Sequence, residues 1–150
     1  SMLVREYSNT KITIVEIDDK VVQVSRKYFP KHFKLNRKQS NNIKLIIEDG
    51  MVFIKNNLTK YDCIIIDSTD PVGQAKILYS KNFIKLCNNS LNKRGTLIQQ
   101  SGSPINDMKN LIKPLVKKYS VIGMEKIILT SFPMPLYPSG TWCFISAKRA

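Results

Sequence analysis

The sequence predicts an α/β fold: a doubly wound sheet, mostly parallel, that ends in a C-terminal antiparallel hairpin. Three observations carry this. Short runs rich in Ile and Val alternate with segments whose apolar residues suit one helix face, the pattern of strand–helix–strand units. Three successive runs end in acids: Glu16, then Asp49 before Gly50, then Asp67 with Asp70. The last two extended runs flank a proline-rich segment, Phe132 to Gly140 (FPMPLYPSG), which reads as the long loop of a hairpin on the ligand side.

Taken in order, Lys11 to Ile17 (KITIVEI) is the first predicted strand. Asp18 or Asp19 can cap a helix that buries Val21, Val22, Val24, Tyr28 and Phe29 until Pro30 stops it. A second strand is expected over Ile43 to Ile47, ending at Glu48-Asp49-Gly50, with a short helix from Met51 to Asn57 that offers Val52, Phe53 and Ile54 for burial. Tyr61 to Ile66 (YDCIII) has no charge after Asp62, which is how a strand buried on both faces of a parallel sheet reads. Its loop runs from Ser68 to about Leu78, and Ser80 then caps a helix through Asn89. Asn92-Lys93-Arg94-Gly95 is a predicted turn with Gly95 free to take positive φ, and Thr96 to Gln100 a fourth strand. Pro104 suits the first turn of a helix through Tyr119, which Pro114 should kink or shorten. Strands from Ser120 to about Thr130 and from Thr141 to Ser146 close the chain. There is no internal repeat or linker.

The length of 150 residues with 43% hydrophobic content indicates one domain, able to bury roughly two-thirds of its unfolded surface. Cys63, Cys87 and Cys143 are isolated in apolar segments and read as reduced core thiols of a cytosolic protein. A lone His32 without a Cys/His cluster offers no zinc site, so no metal is expected. No apolar run approaches the ~18 residues of a membrane span, and no signal peptide is apparent. The expected location is cytoplasmic, with no membrane partner. The 24 basic residues against 11 acidic give a net charge of +13. Much of the excess lies between Arg26 and Lys44, which reads as a solvated loop and not as a nucleic-acid surface, since no RNP-like aromatic spacing or zinc finger accompanies it.

In open α/β sheets, ligands sit beyond the carboxyl ends of the strands. Asp67-Ser68-Thr69-Asp70-Pro71 therefore lies where such sheets do chemistry. One acid at a strand end is more often a helix cap than a ligand contact, but three along one edge of one sheet read as a site. At these residues the chain resembles the spermidine synthase family of polyamine aminopropyltransferases, built on a methyltransferase-like Rossmann domain. The similarity rests on Ile14-Val15-Glu16-Ile17-Asp18 and Glu48-Asp49-Gly50 as acidic strand ends, and on Asp67-Ser68-Thr69-Asp70-Pro71-Val72-Gly73 as the catalytic loop. Gln99-Gln100 matches the glutamine strand end, and Pro135-Leu136-Tyr137-Pro138-Ser139-Gly140 the late tyrosine loop.

The resemblance implies aminopropyl transfer from decarboxylated S-adenosylmethionine, a cosubstrate and not a prosthetic group, to a diamine such as putrescine. Glu16 would hold the ribose hydroxyls, Asp49 with Gly50 the adenine amino edge, and Ser68 would contribute mainly backbone. Asp67 would take the proton of the attacking amine, Asp70 would orient the diamine, and Gln100 and Tyr137 would complete the polyamine end. Carboxylates suit this task. An alkylammonium has a pKa of about 10.4, so presenting it neutral at pH 7 costs roughly 4 to 5 kcal/mol, and an acid at the attack point both binds the cation and accepts its proton.

Two departures from the family pattern stand out. The glycine-rich loop that precedes the family's Arg-Glu pair, here Arg5-Glu6, is not in this sequence, so the chain is expected to be a fragment of a longer enzyme. Gln74-Ala75-Lys76 replaces the family's proline, small residue and acid, which brings a cation near a cationic substrate. A homo-oligomer is expected to cover the strand edges left open beside Ile12 to Ile17 and Ile64 to Ile66. The alternatives are a non-catalytic binding or regulatory module of the same fold and an S-adenosylmethionine-dependent methyltransferase.

Overall fold

Residues 9–33 and 41–150 are described in the computed structural model. Arg5-Glu6 and the part of the basic stretch at residues 34–40 lie outside them. The chain divides into two compact units, Ser1–Phe53 and Ile54–Ala150.

In the first unit, β1 (Ile12–Glu16) and β2 (Ile43–Ile47) pair in parallel, with Ile12 opposite Ile43 and Glu16 opposite Ile47. Asp18 starts α1 (Asp19–Tyr28) as expected, its Oδ1 accepting from Lys20 N at 2.9 Å. Arg26 and Lys27 of the basic stretch fall in the last turn of this helix and not in a loop, where cations complement the carbonyl end of the dipole. Pro30 ends α1 and opens a second, four-residue helix, α2 (Pro30–Phe33). The expected five-residue apolar face is not buried: Val22 is, while Val21, Val24, Tyr28 and Phe29 stay exposed. Two strands present too narrow a face to cover it. α3 (Gly50–Asn56) follows β2.

In the second unit, β3 (Tyr61–Ile66), β4 (Leu91–Gln100), β5 (Met124–Pro133) and β6 (Thr141–Arg149) form one mixed sheet in the order β3-β4-β6-β5. β3 and β4 run parallel, while β6 runs antiparallel to β4 and β5, giving the C-terminal hairpin. A short 3-10 helix (Gly73–Tyr79) and α4 (Lys81–Ser90) connect β3 to β4. Ser80 caps α4 as its position predicts, its Oγ accepting from Phe83 N at 3.1 Å. The core gathers Ile84 and Cys87 of α4, Leu97 of β4, Ile145 of β6, and Leu115 and Tyr119 of α5 (Lys113–Val121).

β3 is not buried on both faces: Cys63 is exposed and Ile65 is 56% exposed, with Ile66 alone buried. The reason is position, since β3 sits at the edge of its sheet. Cys63 is therefore not a core thiol, whereas Cys87 and Cys143 are. The three acidic strand ends belong to two sheets and not to one. The turn at Asn92 to Gly95 is a bulge within β4 opposite Asp62, and Arg94, not Gly95, takes positive φ (64°). Gly95 is required for space: a Cβ there would lie 2.9 Å from Asn92 O, 3.1 Å from Tyr61 O and 3.2 Å from Asp62 O.

No helix begins at Pro104. A π-helical turn (Met108–Ile112) leads into α5 and places Pro114 in the first α-helical turn behind it. Gly123, at φ 80°, follows α5 and delays β5 to Met124. Pairing of Phe132 with Trp142 and Pro133 with Thr141 then extends β5 and shortens the proline-rich loop to residues 134–140. Among the described residues, no helix is long and apolar enough to cross a membrane.

Candidate active site

The strand-end acids of the first unit are held by their own turns. Backbone pairing continues past β1 and β2, with Glu48 N donating to Glu16 O at 3.0 Å, so Glu16 and the Glu48-Asp49 pair share one edge of that sheet. Glu16 Oε1 accepts from Asp18 N at 3.0 Å. Asp49 Oδ1 accepts from Met51 N at 2.8 Å and Val52 N at 3.0 Å, which makes it the N-cap of α3, and Gly50 is the first residue of that helix. Each carboxylate thus gives one oxygen to local backbone, in the geometry that satisfies otherwise orphaned N–H groups. This fixes where the second oxygen points.

The second unit assembles a different edge. Ile66 lies opposite Gln99, so Asp67 and Gln100 leave adjacent parallel strands side by side. Asp67 and Asp70 are exposed, and Ser68 is half-buried. The 134–140 loop opens from the same edge, because Gln100 pairs with Phe144 and the hairpin closes just beyond, at Thr141. Three backbone bonds shape it: Met134 N to Gly140 O (2.9 Å), Tyr137 N to Met134 O (3.0 Å) and Gly140 N to Tyr137 O (2.8 Å). The Tyr137 ring stands edge-on to Trp142, with centroids 4.6 Å apart. Trp142 therefore supports a proposed site residue. Lys76 is exposed on the 3-10 helix.

The residue that joins these parts is Tyr79, to which the sequence alone assigns no role. Tyr79 is 3% exposed. Its hydroxyl donates toward Gln100 Oε1 at 2.9 Å and Thr69 O at 3.2 Å, and accepts from Ser68 Oγ at 3.4 Å. Lys118 Nζ donates to its backbone carbonyl at 2.7 Å. Burial pushes the Tyr79 phenol above its ordinary range; the Ser68 hydrogen bond opposes this, while the charges of Asp70 and Asp67 add to it. Both loop acids thus lie within electrostatic reach of the phenol. One signal in the sequence pointed here: a tyrosine at the end of an apolar run needs a partner for its hydroxyl once buried.

Gln99 and Gln100 have opposite fates. Gln99 is fully buried, its Nε2 donating to Leu78 O at 3.2 Å and its Oε1 accepting from Tyr119 Oη at 3.0 Å. Only Gln100 meets the acid loop's partner. An edge carrying two exposed carboxylates, an amide and a tyrosine can bind a cationic amine and take a proton from it. Among the described residues, no group of His, Cys, Asp and Glu could hold a metal ion.

A family model described as "Spermine/spermidine synthase domain" matches residues 2–150. The polyamine aminopropyltransferase of Methanocaldococcus jannaschii is 38% identical over 148 residues, covering 98% of this chain and 49% of the relative. A crystal structure of spermidine synthase in complex with the transition state analogue AdoDATO superposes with a TM-score of 0.81 at 25% identity, over 99% of this chain and 50% of that one. A Pyrococcus furiosus methyltransferase shares the fold, with a TM-score of 0.69 at 13% identity, over 99% of this chain and 68% of that one. The chain spans about half the length of the curated relatives it matches.

Proposed function

The chain belongs to the spermine/spermidine synthase domain family, and from that premise we propose that it is part of a single aminopropyltransferase catalytic domain. It acts in the transfer of an aminopropyl group from decarboxylated S-adenosylmethionine to a diamine, putrescine foremost. The observation that carries this reading is the acid loop: Asp67 and Asp70 are exposed where β3 ends, beside Gln100 at the end of β4.

In this reading Asp67 accepts a proton from the attacking ammonium. The freed nitrogen lone pair forms a bond to the carbon next to the sulfonium, the C–S electrons return to sulfur, and methylthioadenosine leaves neutral. The proton on Asp67 then passes to water. Asp70 holds the far ammonium, and Gln100 and Tyr137 complete the amine end. Glu16 and Asp49 use their second oxygens for the ribose hydroxyls and the adenine amino edge, with the backbone of Gly50 and Ser68 beside the nucleoside. Alignment of nucleophile and leaving group supplies much of the acceleration. The protein works in the cytoplasm as a homo-oligomer.

The test is an initial-rate assay of the full protein with decarboxylated S-adenosylmethionine and, in turn, putrescine, spermidine, agmatine and cadaverine. Transfer fastest to putrescine is expected, with kcat falling about 10²- to 10⁴-fold in Asp67→Asn. A variant within about tenfold of wild type would remove Asp67 as the base. No transfer to any amine would remove the function itself. A calorimetric titration with methylthioadenosine tests the nucleoside end separately, with binding lost in Glu16→Ala.

A further inference from the structure

The hydrogen-bond count around Tyr79 says more about Gln100 than its position does. The phenol has one proton and faces two groups within 3.2 Å, the Thr69 carbonyl and the Gln100 amide. If the amide oxygen faces the phenol, two acceptors compete for that proton and one is left without it. A side-chain amide turned by half a rotation fills the same space. Its Nε2 then donates to Tyr79 Oη, and the phenol proton goes wholly to Thr69 O. The phenol oxygen accepts from both Gln100 Nε2 and Ser68 Oγ, so the phenol and the Thr69 carbonyl are both served. Tyr79 is 3% exposed and Gln100 half-buried, so an amide oxygen turned toward the phenol and left unmet is poorly hydrated, at a cost of up to about 1–3 kcal/mol.

We propose that Tyr79 is a positioning residue that locks the Gln100 amide with Nε2 toward its phenol, so that Oε1 is the end offered to a ligand. Gln100 then turns its carbonyl oxygen to the ligand, with one N–H spent on the phenol, which favours an ammonium over a carbonyl or carboxylate. This rests on the amine-binding reading of the acid loop and extends it. The loop supplies negative charge, and Tyr79 gives a neutral amide the same polarity. Because the phenol also holds the Thr69 carbonyl, one buried hydroxyl fixes the loop and the amide together. Its raised pKa keeps the proton on the phenol across the physiological range.

The first arm of the test uses wild-type protein labelled with ¹⁵N in the glutamine side chains, with the Gln100 resonance assigned by its loss in Gln100→Glu. Strong NOEs from the Gln100 amide protons to the Tyr79 ring are expected; their absence overturns the proposal. This arm needs neither activity nor a folded Tyr79 variant. The second arm compares kinetics in the full protein. In Tyr79→Phe the amide is free to turn, and KM for the diamine should rise about fivefold or more with kcat within about twofold, the mark of a weakened hydrogen bond to a cation. An unchanged KM overturns the positioning role. Should wild type transfer no aminopropyl group at all, the function fails, and the NOE arm still decides the orientation.

Discussion

In the first unit, Glu16 and Asp49 each hand a carboxylate oxygen to backbone N–H groups no more than three residues away. In the second, Asp67 and Asp70 stand exposed in a loop held by a phenol from the 3-10 helix. A carboxylate that caps a turn is aimed by the turn, but half its acceptor capacity is committed. One without that duty keeps both oxygens for a cation, and something else must do the aiming. The acids proposed for a neutral nucleoside are the capped ones, and those proposed for a dication are the uncommitted ones. The units also differ in core. Val22 is the one buried apolar residue among those described in the first, whereas α4, β4, α5 and β6 all contribute to the second.

Three further experiments break or sharpen this contrast. Gly95→Ala attacks the second unit where β4 enters: three backbone carbonyls lie 2.9 to 3.2 Å from the added carbon, so stability should fall by about 1–3 kcal/mol. Urea denaturation reads it, and a loss under about 0.5 kcal/mol would mean that the bulge yields.

Next comes alkaline pH. Burial pushes the Cys87 thiol from 9.0 up to about 12. The unfolded chain ionises this group above about pH 9 while the folded one keeps the proton, so stability present below that pH is lost between 9 and about 12, at up to ~1.4 kcal/mol per pH unit. Cys87→Ala should therefore lose less stability than wild type between about pH 8 and pH 10.5. Equal losses would show that the thiol does not contribute.

The smallest effect belongs to the first unit. Asp49→Ala removes the α3 cap and should cost about 1 kcal/mol, whereas Asp49→Ser keeps a capping oxygen and should stay within about 0.5 kcal/mol of wild type. If Asp49 serves only as a cap, the Ser variant will also bind methylthioadenosine normally. Weakened binding at preserved stability marks the second oxygen as a ligand group.

What the sequence reveals of this molecule follows the range of the forces involved. Asp18 and Ser80 were identifiable as caps because capping is settled within three residues. The alternation of Ile-Val runs with helical segments gives the element order, and the long loop before Thr141 gives the hairpin. Decisions made by distant chain are not legible. Arg94 takes the left-handed conformation and Gly95 does not, because Gly95 is pressed against Tyr61 and Asp62 of the neighbouring strand. The helix expected from Pro104 is shortened: residues 104–107 form none, and Pro114 lies in the first turn of α5, directly behind a π-helical turn. Three isoleucines in a row suggested a doubly covered strand, yet sheet order puts β3 at an edge. Tyr79 is the instructive omission. Its partners lie 10 to 21 residues away in sequence, so only the fold reveals what its hydroxyl does.

The adjacent Gln99 and Gln100 pose a register problem for the folding chain. A strand that slips by one residue turns every side chain to the opposite surface. Here a slip that carries Gln100 into the place of Gln99 would again offer a glutamine to the core and put Ile98 in the place of Leu97, while Ser101 would take the place of Gln100 at the site. The core face of this end of β4 is nearly blind to that misalignment. Rejection of the error must come from the other end, where Gly95 fits beneath three carbonyls and Asn92 Nδ2 donates to Asp62 Oδ1 at 2.7 Å. β4 is thus indexed where it enters the sheet and used where it leaves, so a lesion in the exposed Asn92–Arg94 bulge would surface as a misplaced amide at the opposite end of the strand.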